Sequence, residues 1–172
     1  VSLASRDPGK LAALAAETGA GAHAGDAAER AQIAALFAAV EAERGAPDAL
    51  GYNPSARLRG PVTDLDGAAV ERAVAVTALG AFHAAQEAAR RMSPQGHGAL
   101  LFTGASAGVK GYARSAPFAM GKFALRGLCQ SLARELHPQG VHVGHFVIDG
   151  GVRNPERPAR RESADRPDSM LD

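Results

Sequence analysis

The side chains best suited to chemistry lie close together in the second half of the chain. Lys122 closes the segment Phe118-Ala119-Met120-Gly121-Lys122, and Ser106 and Tyr112 precede that segment in a loop. An amine can hold ligand hydroxyls, and serine or tyrosine hydroxyls can exchange protons with a substrate. Phe118 has no titratable proton, so it cannot act as a general acid or base. A cation near a helix start opposes the helix dipole, and we therefore expect a compensating anion or ligand at Lys122.

A second group of polar side chains follows short apolar segments in the first third of the chain. Ser5 and Arg6 offer a hydroxyl and a guanidinium side by side, which suits a phosphate, although a solvated arginine at a strand end is the alternative. Asp26 stands three residues before Glu29, a spacing that also predicts a helix-capping box. Asn53 precedes Pro54, where an Asx turn is the competing explanation.

The composition indicates a globular domain and excludes several classes of protein. The chain has 172 residues, 46% of them hydrophobic, and a formal net charge of +1 at pH 7. A charge so close to zero argues against a nucleic-acid partner, and the interrupted apolar stretches argue against a membrane span. The single cysteine, Cys129, favours a reducing compartment, and we expect a cytoplasmic protein. We expect no metal site.

Hydrophobic periodicity and turn residues predict strands that alternate with helices. Strands are predicted over 1–5, 21–25, 49–52, 98–102 and 141–148, and helices over 8–19, 26–45, 67–92 and 118–136. This alternation predicts a doubly wound parallel sheet in a three-layer α/β domain over 1–152. The long third helix is expected to bury one stripe formed by Val70, Val74, Thr77, Phe82 and Ala85. Residues 153–172 are polar and are predicted to be a flexible tail.

The lysine-led helix over 122–136, followed by Gly140-Val141-His142-Val143, resembles the catalytic end of the short-chain dehydrogenase/reductase family. The resemblance extends from residue 1 to about 155. The family signature is Tyr-x-x-x-Lys with a serine thirteen residues before the tyrosine. Here Phe118 occupies the tyrosine position and Ala105 the serine position, and Thr77 stands where the family has an asparagine that holds a proton-relay water. Ser106 and Tyr112 are the candidate substitutes for the lost hydroxyls.

The resemblance implies a nicotinamide cofactor and a small-molecule carbonyl or alcohol substrate. Ser5 and Arg6 would favour the 2′-phosphate of NADP over NAD, and Lys122 would hold the nicotinamide ribose. Asp26 would contact adenine, although its helix-capping role competes. The remaining implied contacts are made by Asn53 on the adenosine side and by the backbone of Gly150 and Val152 at the carboxamide. The family resemblance also implies a homo-oligomer, a dimer or a tetramer.

The family's glycine-rich pyrophosphate loop and first strand have no counterpart in this sequence. In the strand order 3-2-1-4-5-6 the first strand lies at the centre. We therefore predict a gap between the strands at 1–5 and 49–52, and we expect the chain to be part of a longer protein. Three functions stay open: an NADP(H)-dependent oxidoreductase, a nucleotide-binding protein without catalysis, and a truncated product without independent activity.

Overall fold

The computed structural model describes residues 1–150 in full and the backbone of 151–152 and 170–171. Strands and helices alternate along the described chain, in the order β1 Ser2–Ser5, α1 Ala12–Thr18, β2 Gly21–Ala24, α2 Arg30–Arg44, β3 Ala49–Tyr52, α3 Gly67–Val74, α4 Gly80–Gln95, β4 Gly98–Thr103, α5 Ala116–Leu136 and β5 Val141–Phe146. Two short strands, β6 (Gly151–Val152) and β7 (Met170–Leu171), pair in parallel. The rest of the predicted tail lies outside the described residues.

Capping residues explain where the first helical region begins and ends. Asp7 accepts a hydrogen bond from the Gly9 backbone N–H at 3.1 Å, and Pro8 opens a 3-10 turn that leads into α1. Gly19 ends α1 with a φ of 66°, a left-handed conformation that glycine adopts without steric cost. Both features confirm the sequence prediction.

The predicted capping box at Asp26 is wrong. Helix α2 begins at Arg30, its N-cap is Glu29, and no side chain caps it. Asp26 instead accepts a hydrogen bond from the Ala28 backbone N–H at 2.9 Å, which closes an Asx turn before the helix. The carboxylate is therefore held in the loop between β2 and α2.

The long third helix of the prediction is interrupted by a π-helical segment. Residues Ala75–Leu79 form this π segment between α3 and α4. Short π-helical segments inside α-helices occur frequently at functional sites. The predicted buried stripe is correct at Thr77 and Ala85, which are fully buried, but wrong at Phe82, which is 42% exposed. Ala81, the neighbour of Phe82, faces the core instead.

The parallel strands form two separate groups. Strand β1 pairs only with β2, and β4 lies between β3 and β5 in a second sheet. Within the described residues no hydrogen-bonded pairing joins β1 to β3. This arrangement confirms the predicted gap between these two strands.

The hydrophobic core covers the second sheet. Its fully buried side chains come from β4, β5, α4 and α5, and they include Leu100, Phe102, Val141, Met92 and Leu125. Ile33 and Phe37 of α2 complete the core against α4. None of the described helices is long and apolar enough to cross a membrane.

Candidate functional site

Several of the predicted site residues lie just past the carboxyl ends of parallel strands. Arg6 follows β1, Asp26 follows β2, Asn53 follows β3, and Ser106 follows β4. Parallel strands end at one edge of a sheet, and ligands of open α/β proteins bind along that edge. The topology therefore places these residues along one side of the molecule.

A cleft of about 1090 Å³ opens between the edges of β1 and β3. Its lining includes four of the residues predicted to bind a cofactor, namely Ser5, Arg6, Asp26 and Asn53. Lys122 and Gly150 are not part of the lining. The structure thus brings the proposed adenosine-side residues together and leaves Lys122 farther along the edge, at the end of β4.

The Asp26 carboxylate is already engaged inside this cleft. It pairs with Arg72 of α3, which also binds Glu29 at 3.0 Å. The backbone N–H of Ala28 lowers the pKa of Asp26 most, and the guanidiniums of Arg72 and Arg6 lower it further against the opposing effect of burial. An adenine contact at Asp26 would therefore share the carboxylate with Arg72, a residue that the sequence analysis missed.

Lys122 is buried, with 2% of its surface exposed. Its ammonium donates a hydrogen bond to the carbonyl oxygen of Thr103 at 2.6 Å, at the end of β4. Burial lowers the pKa of Lys122 to about 8. Because α5 begins at Ala116, Lys122 lies in the second helical turn and not, as the sequence predicted, in the first. The partner of its ammonium in the structure is the neutral Thr103 carbonyl.

The ring of Phe118 lies beside two cationic groups. The guanidinium carbon of Arg57 is 5.0 Å from the ring centroid, and the Lys122 nitrogen is 5.8 Å from it. Both distances allow cation–π attraction. The position therefore stabilises positive charge but has no proton to transfer. Arg57 is a further residue that sequence reasoning did not identify.

Two hydroxyls lie together on the loop after β4. The Tyr112 hydroxyl donates a hydrogen bond to Ser106 Oγ at 3.0 Å, and Tyr112 is 43% exposed. Ser106 opens a 3-10 turn whose Gly108 packs so closely on α5 that an added methyl would lie 2.9 Å from the Lys122 carbonyl oxygen. Ala105, one residue earlier, offers only a methyl group.

Comparisons with known proteins agree with the fold described above. A family model described as short chain dehydrogenase matches residues 1–162. The chain belongs to the short-chain dehydrogenase family. It is 35% identical over 134 residues to (+)-borneol dehydrogenase 1 of Salvia officinalis, covering 74% of this chain and 51% of that protein. It is 30% identical over 158 residues to the cyclic-di-GMP-binding biofilm dispersal mediator protein of Escherichia coli K12, covering 92% and 64%.

A solved structure is similar over a large part of the chain. A metagenomic short-chain oxidoreductase in complex with NADP superimposes with a TM-score of 0.83 at 27% identity, covering 88% of this chain and 72% of that one. The chain spans about half the length of (+)-borneol dehydrogenase 1, and a similar share of several other curated relatives.

Thr77 lies where the loop after β3 meets helix α5. The Thr77 side chain is fully buried, and its Oγ1 accepts a hydrogen bond from the Ala56 backbone N–H at 3.1 Å. Thr77 also packs against Gly121, the residue before Lys122. Thr77 therefore contacts both the loop after β3 and helix α5.

His145 is another site-edge residue that the sequence analysis missed. Its imidazole packs against Gly104, and Nε2 is buried without a partner among the described residues. Burial lowers the pKa of His145, and the cations Arg126 and Lys122 lower it further. The only sequence signal was a histidine in an apolar strand, which is not specific for function.

The chemistry of the described residues would suit the two ends of a nicotinamide dinucleotide. Ser5 and Arg6, in the cleft, have side-chain donors that would suit a phosphate, and the Lys122 ammonium would suit ribose hydroxyls. The described residues contain no glycine-rich turn into a helix that would hold the pyrophosphate between them. They also contain no cluster of three metal-ligating side chains.

Proposed function

We propose that this protein is an NADP(H)-dependent oxidoreductase that acts on a small carbonyl or alcohol substrate. The observation that supports this proposal is the cleft that collects Ser5, Arg6, Asp26 and Asn53 at the carboxyl edge of the strands. Membership of the short-chain dehydrogenase family supports it as well. When bound, NADPH would supply a hydride to the carbonyl carbon.

The chain's own residues would bind and orient this cofactor. Arg6 and Ser5 would hold the 2′-phosphate, and Asp26 and Asn53 would border the adenosine. The Lys122 ammonium would donate hydrogen bonds to the nicotinamide ribose hydroxyls, either in place of its bond to the Thr103 carbonyl or in addition to it. Backbone groups of Gly150 and Val152 would meet the carboxamide.

Cofactor choice is the direct test of this proposal. NADPH should bind about 10- to 100-fold more tightly than NADH, because a charge-assisted hydrogen bond contributes roughly 1.5–3 kcal/mol. Fluorescence titration can follow the cofactor's own emission, since the chain has no tryptophan. Arg6→Gln should weaken NADPH binding alone, whereas Arg134→Gln, on the exposed side of α5, should change neither affinity. Equal affinities, or a preference for NADH, would overturn the assignment.

We propose the Tyr112–Ser106 pair as the source of the proton that Phe118 cannot provide. Tyr112 is already hydrogen-bonded to Ser106, and the turn that holds Ser106 packs on the helix of Lys122. Tyr112→Phe should then lower the rate of carbonyl reduction by about 10²–10⁴-fold. If Tyr112→Phe has no effect while Phe118→Tyr raises the rate by a similar factor, a proton donor acts only from position 118, which is empty of one in the wild type, and Tyr112 has no catalytic role.

A second candidate function is nucleotide binding without catalysis. Phe118 and Ala105 favour it, because both replace the hydroxyls that the family uses for proton transfer. The relative from Escherichia coli that is named for cyclic-di-GMP binding is an example of a similar protein described by what it binds. Tight NADPH binding with no turnover of any carbonyl substrate would select this function. Failure to bind any dinucleotide would favour a product without independent activity.

We also propose that the protein forms a homo-oligomer in a reducing, cytoplasmic compartment. Large apolar side chains on the outer faces of the π segment, α4 and α5 stay 42–55% exposed, namely Leu79, Phe82, Met120 and Phe123. Cys129 is buried and unpaired. Light scattering after size exclusion should give a mass of at least two chains, and a monomer at micromolar concentration would contradict the oligomer.

A further inference from the structure

We propose that the Tyr52 hydroxyl is a positioning group that couples the cleft to Lys122 through the π segment of residues 75–79. This proposal rests on the function proposed above, because it assigns to Tyr52 the task of aligning the cofactor's two binding regions. Tyr52 ends strand β3 at the border of the cleft. A tyrosine there can reach a neighbouring helix.

The first link is a hydrogen bond between β3 and the π segment. Tyr52 is the last residue of β3, is 5% exposed and lines the cleft. Its hydroxyl donates to the Val76 carbonyl oxygen at 2.6 Å. Burial, and secondly the Asp26 carboxylate, raise the pKa of Tyr52, so the hydroxyl keeps its proton and remains a donor. The bond therefore holds the π segment in place from the cleft side.

The second link runs from the π segment to helix α5. Thr77 follows Val76 directly and accepts the Ala56 N–H through Oγ1. On its other side Thr77 touches Gly121, where an added methyl would lie 2.8 Å from Thr77 Cβ. The next residue, Lys122, is anchored on the Thr103 carbonyl. A shift of the π segment would thus move the helix turn that carries Lys122.

The third link joins the same unit to the loop after β2. Gly80, the first residue of α4, packs directly against both the Ala27 carbonyl and the Tyr52 hydroxyl, with no room for a methyl group. Ala27 follows Asp26 and also lines the cleft. A ligand that presses on this part of the cleft would therefore displace Tyr52, the π segment and Lys122 together.

The test measures Lys122 itself by carbon NMR of lysine-labelled protein. The chain has only three lysines, so the signal of Lys122 can be assigned with Lys122→Arg. Tyr52→Phe should raise the pKa of Lys122 from about 8 toward its ordinary value, because a displaced ammonium becomes more hydrated. NADPH affinity should fall about tenfold, which corresponds to about 1.4 kcal/mol.

The matched control is Thr18→Val. Thr18 Oγ1 donates to the Leu14 carbonyl oxygen at 2.6 Å, so the same kind of bond to a helix is removed at a distant place. This control should change neither the Lys122 titration nor the NADPH affinity. If Tyr52→Phe lowers the melting temperature but leaves both quantities at their wild-type values, Tyr52 is structural only and the proposal is wrong.

A second variant covers the case in which Tyr52→Phe does not fold. Thr77→Val keeps the side-chain shape and removes the acceptor for the Ala56 N–H, so it should shift the Lys122 titration in the same direction. An unchanged titration in this variant would overturn the coupling. If wild-type protein does not bind NADPH, the proposed function fails, yet the lysine titration still decides whether Tyr52 positions Lys122.

Discussion

The two groups of strands differ sharply in how well they are buried. Residues 1–32, which contain β1, α1 and β2, include no buried residue, whereas β4 alone buries Leu100 and Phe102 completely. On the side of β1 that faces β3, the first group borders the cleft. The second group is covered by α4 and α5. Parallel strands need cover on both faces, so the first group has the weaker support.

This difference matters because the candidate site is divided between the two groups. Arg6 and Asp26 stand on the weakly buried group, while Thr77 and Lys122 stand on the well packed one. A ligand that uses both sets must hold the groups in register. The affinity for such a ligand is therefore sensitive to the contacts between the two groups, which we call the seam. These are chiefly the contacts of Gly80 and the Asp26–Arg72 pair.

The largest expected effect contrasts the same substitution in the two groups. Leu100→Ala should lower the free energy of unfolding by about 2–5 kcal/mol, because it leaves a cavity in a closed core. Leu3→Ala should cost less than about 1 kcal/mol, because Leu3 already borders the open cleft. Urea unfolding of both variants measures the contrast. Similar losses at the two positions would show that the groups are equally well packed.

The seam itself can be broken at Gly80. Gly80→Ala should cost roughly 1–3 kcal/mol, because the methyl collides with the Ala27 carbonyl and the Tyr52 hydroxyl. Gly127→Ala is the matched control inside α5, since nothing lies within 4 Å of the added methyl. It should gain up to about 1 kcal/mol from helix propensity. If Gly80→Ala and the wild type show the same melting midpoint, Gly80 does not contribute to the contact between the two groups.

Lys122 gives the well packed group a distinctive pH dependence. Its pKa is lowered to about 8 in the folded chain from 10.5, so the unfolded state binds more protons between these values. The contribution of Lys122 therefore makes the folded state more stable as pH rises from about 8 to about 10.5. Lys122→Met should abolish this rise in the free energy of unfolding. Lys10→Met, in the exposed 3-10 turn before α1, is the control and should keep the rise. A rise that survives in Lys122→Met would disprove the assignment.

The smallest expected effect comes from the ion pair across the seam. The pKa of Asp26 is lowered, so its stabilising contribution is present above pH 3.8 and is lost as pH falls through the folded-state pKa. Asp26→Asn should cost less than about 1 kcal/mol at neutral pH, because solvent screens the pair. The difference from wild type should vanish in acid. Glu17→Gln on α1 is the control, and a loss of equal size in that variant would show that the effect is not specific to the pair.

Local patterns were sufficient for the elements but not for the links between them. The strand at 49–52 and the helix ends at Gly19 and Gly45 were predicted correctly, because apolar runs and caps are read from neighbouring residues. The bond from Tyr52 to Val76 spans 24 positions and leaves no local pattern.

The sequence predicted where the site residues lie better than it predicted which residues they contact. Ser5, Arg6, Asp26 and Asn53 share one cleft, as a parallel sheet requires of residues after its strands. Their roles in binding remain predictions. The engagement of Asp26 by Arg72 and of the Phe118 ring by Arg57 depends on helices and loops that meet only in the folded chain.

The position of α2 in the core also sets an order of events during synthesis on the ribosome. Ile33 and Phe37 of α2 are buried against α4, which includes Arg91, the partner of Glu41 at 2.8 Å. Some fifty residues separate the end of α2 from the end of α4, and at about 5–20 residues per second they take roughly 3–10 s to translate. For that time the face of α2 that carries Ile33 and Phe37 lacks the helix that covers it in the folded chain, because α4 has not yet been made.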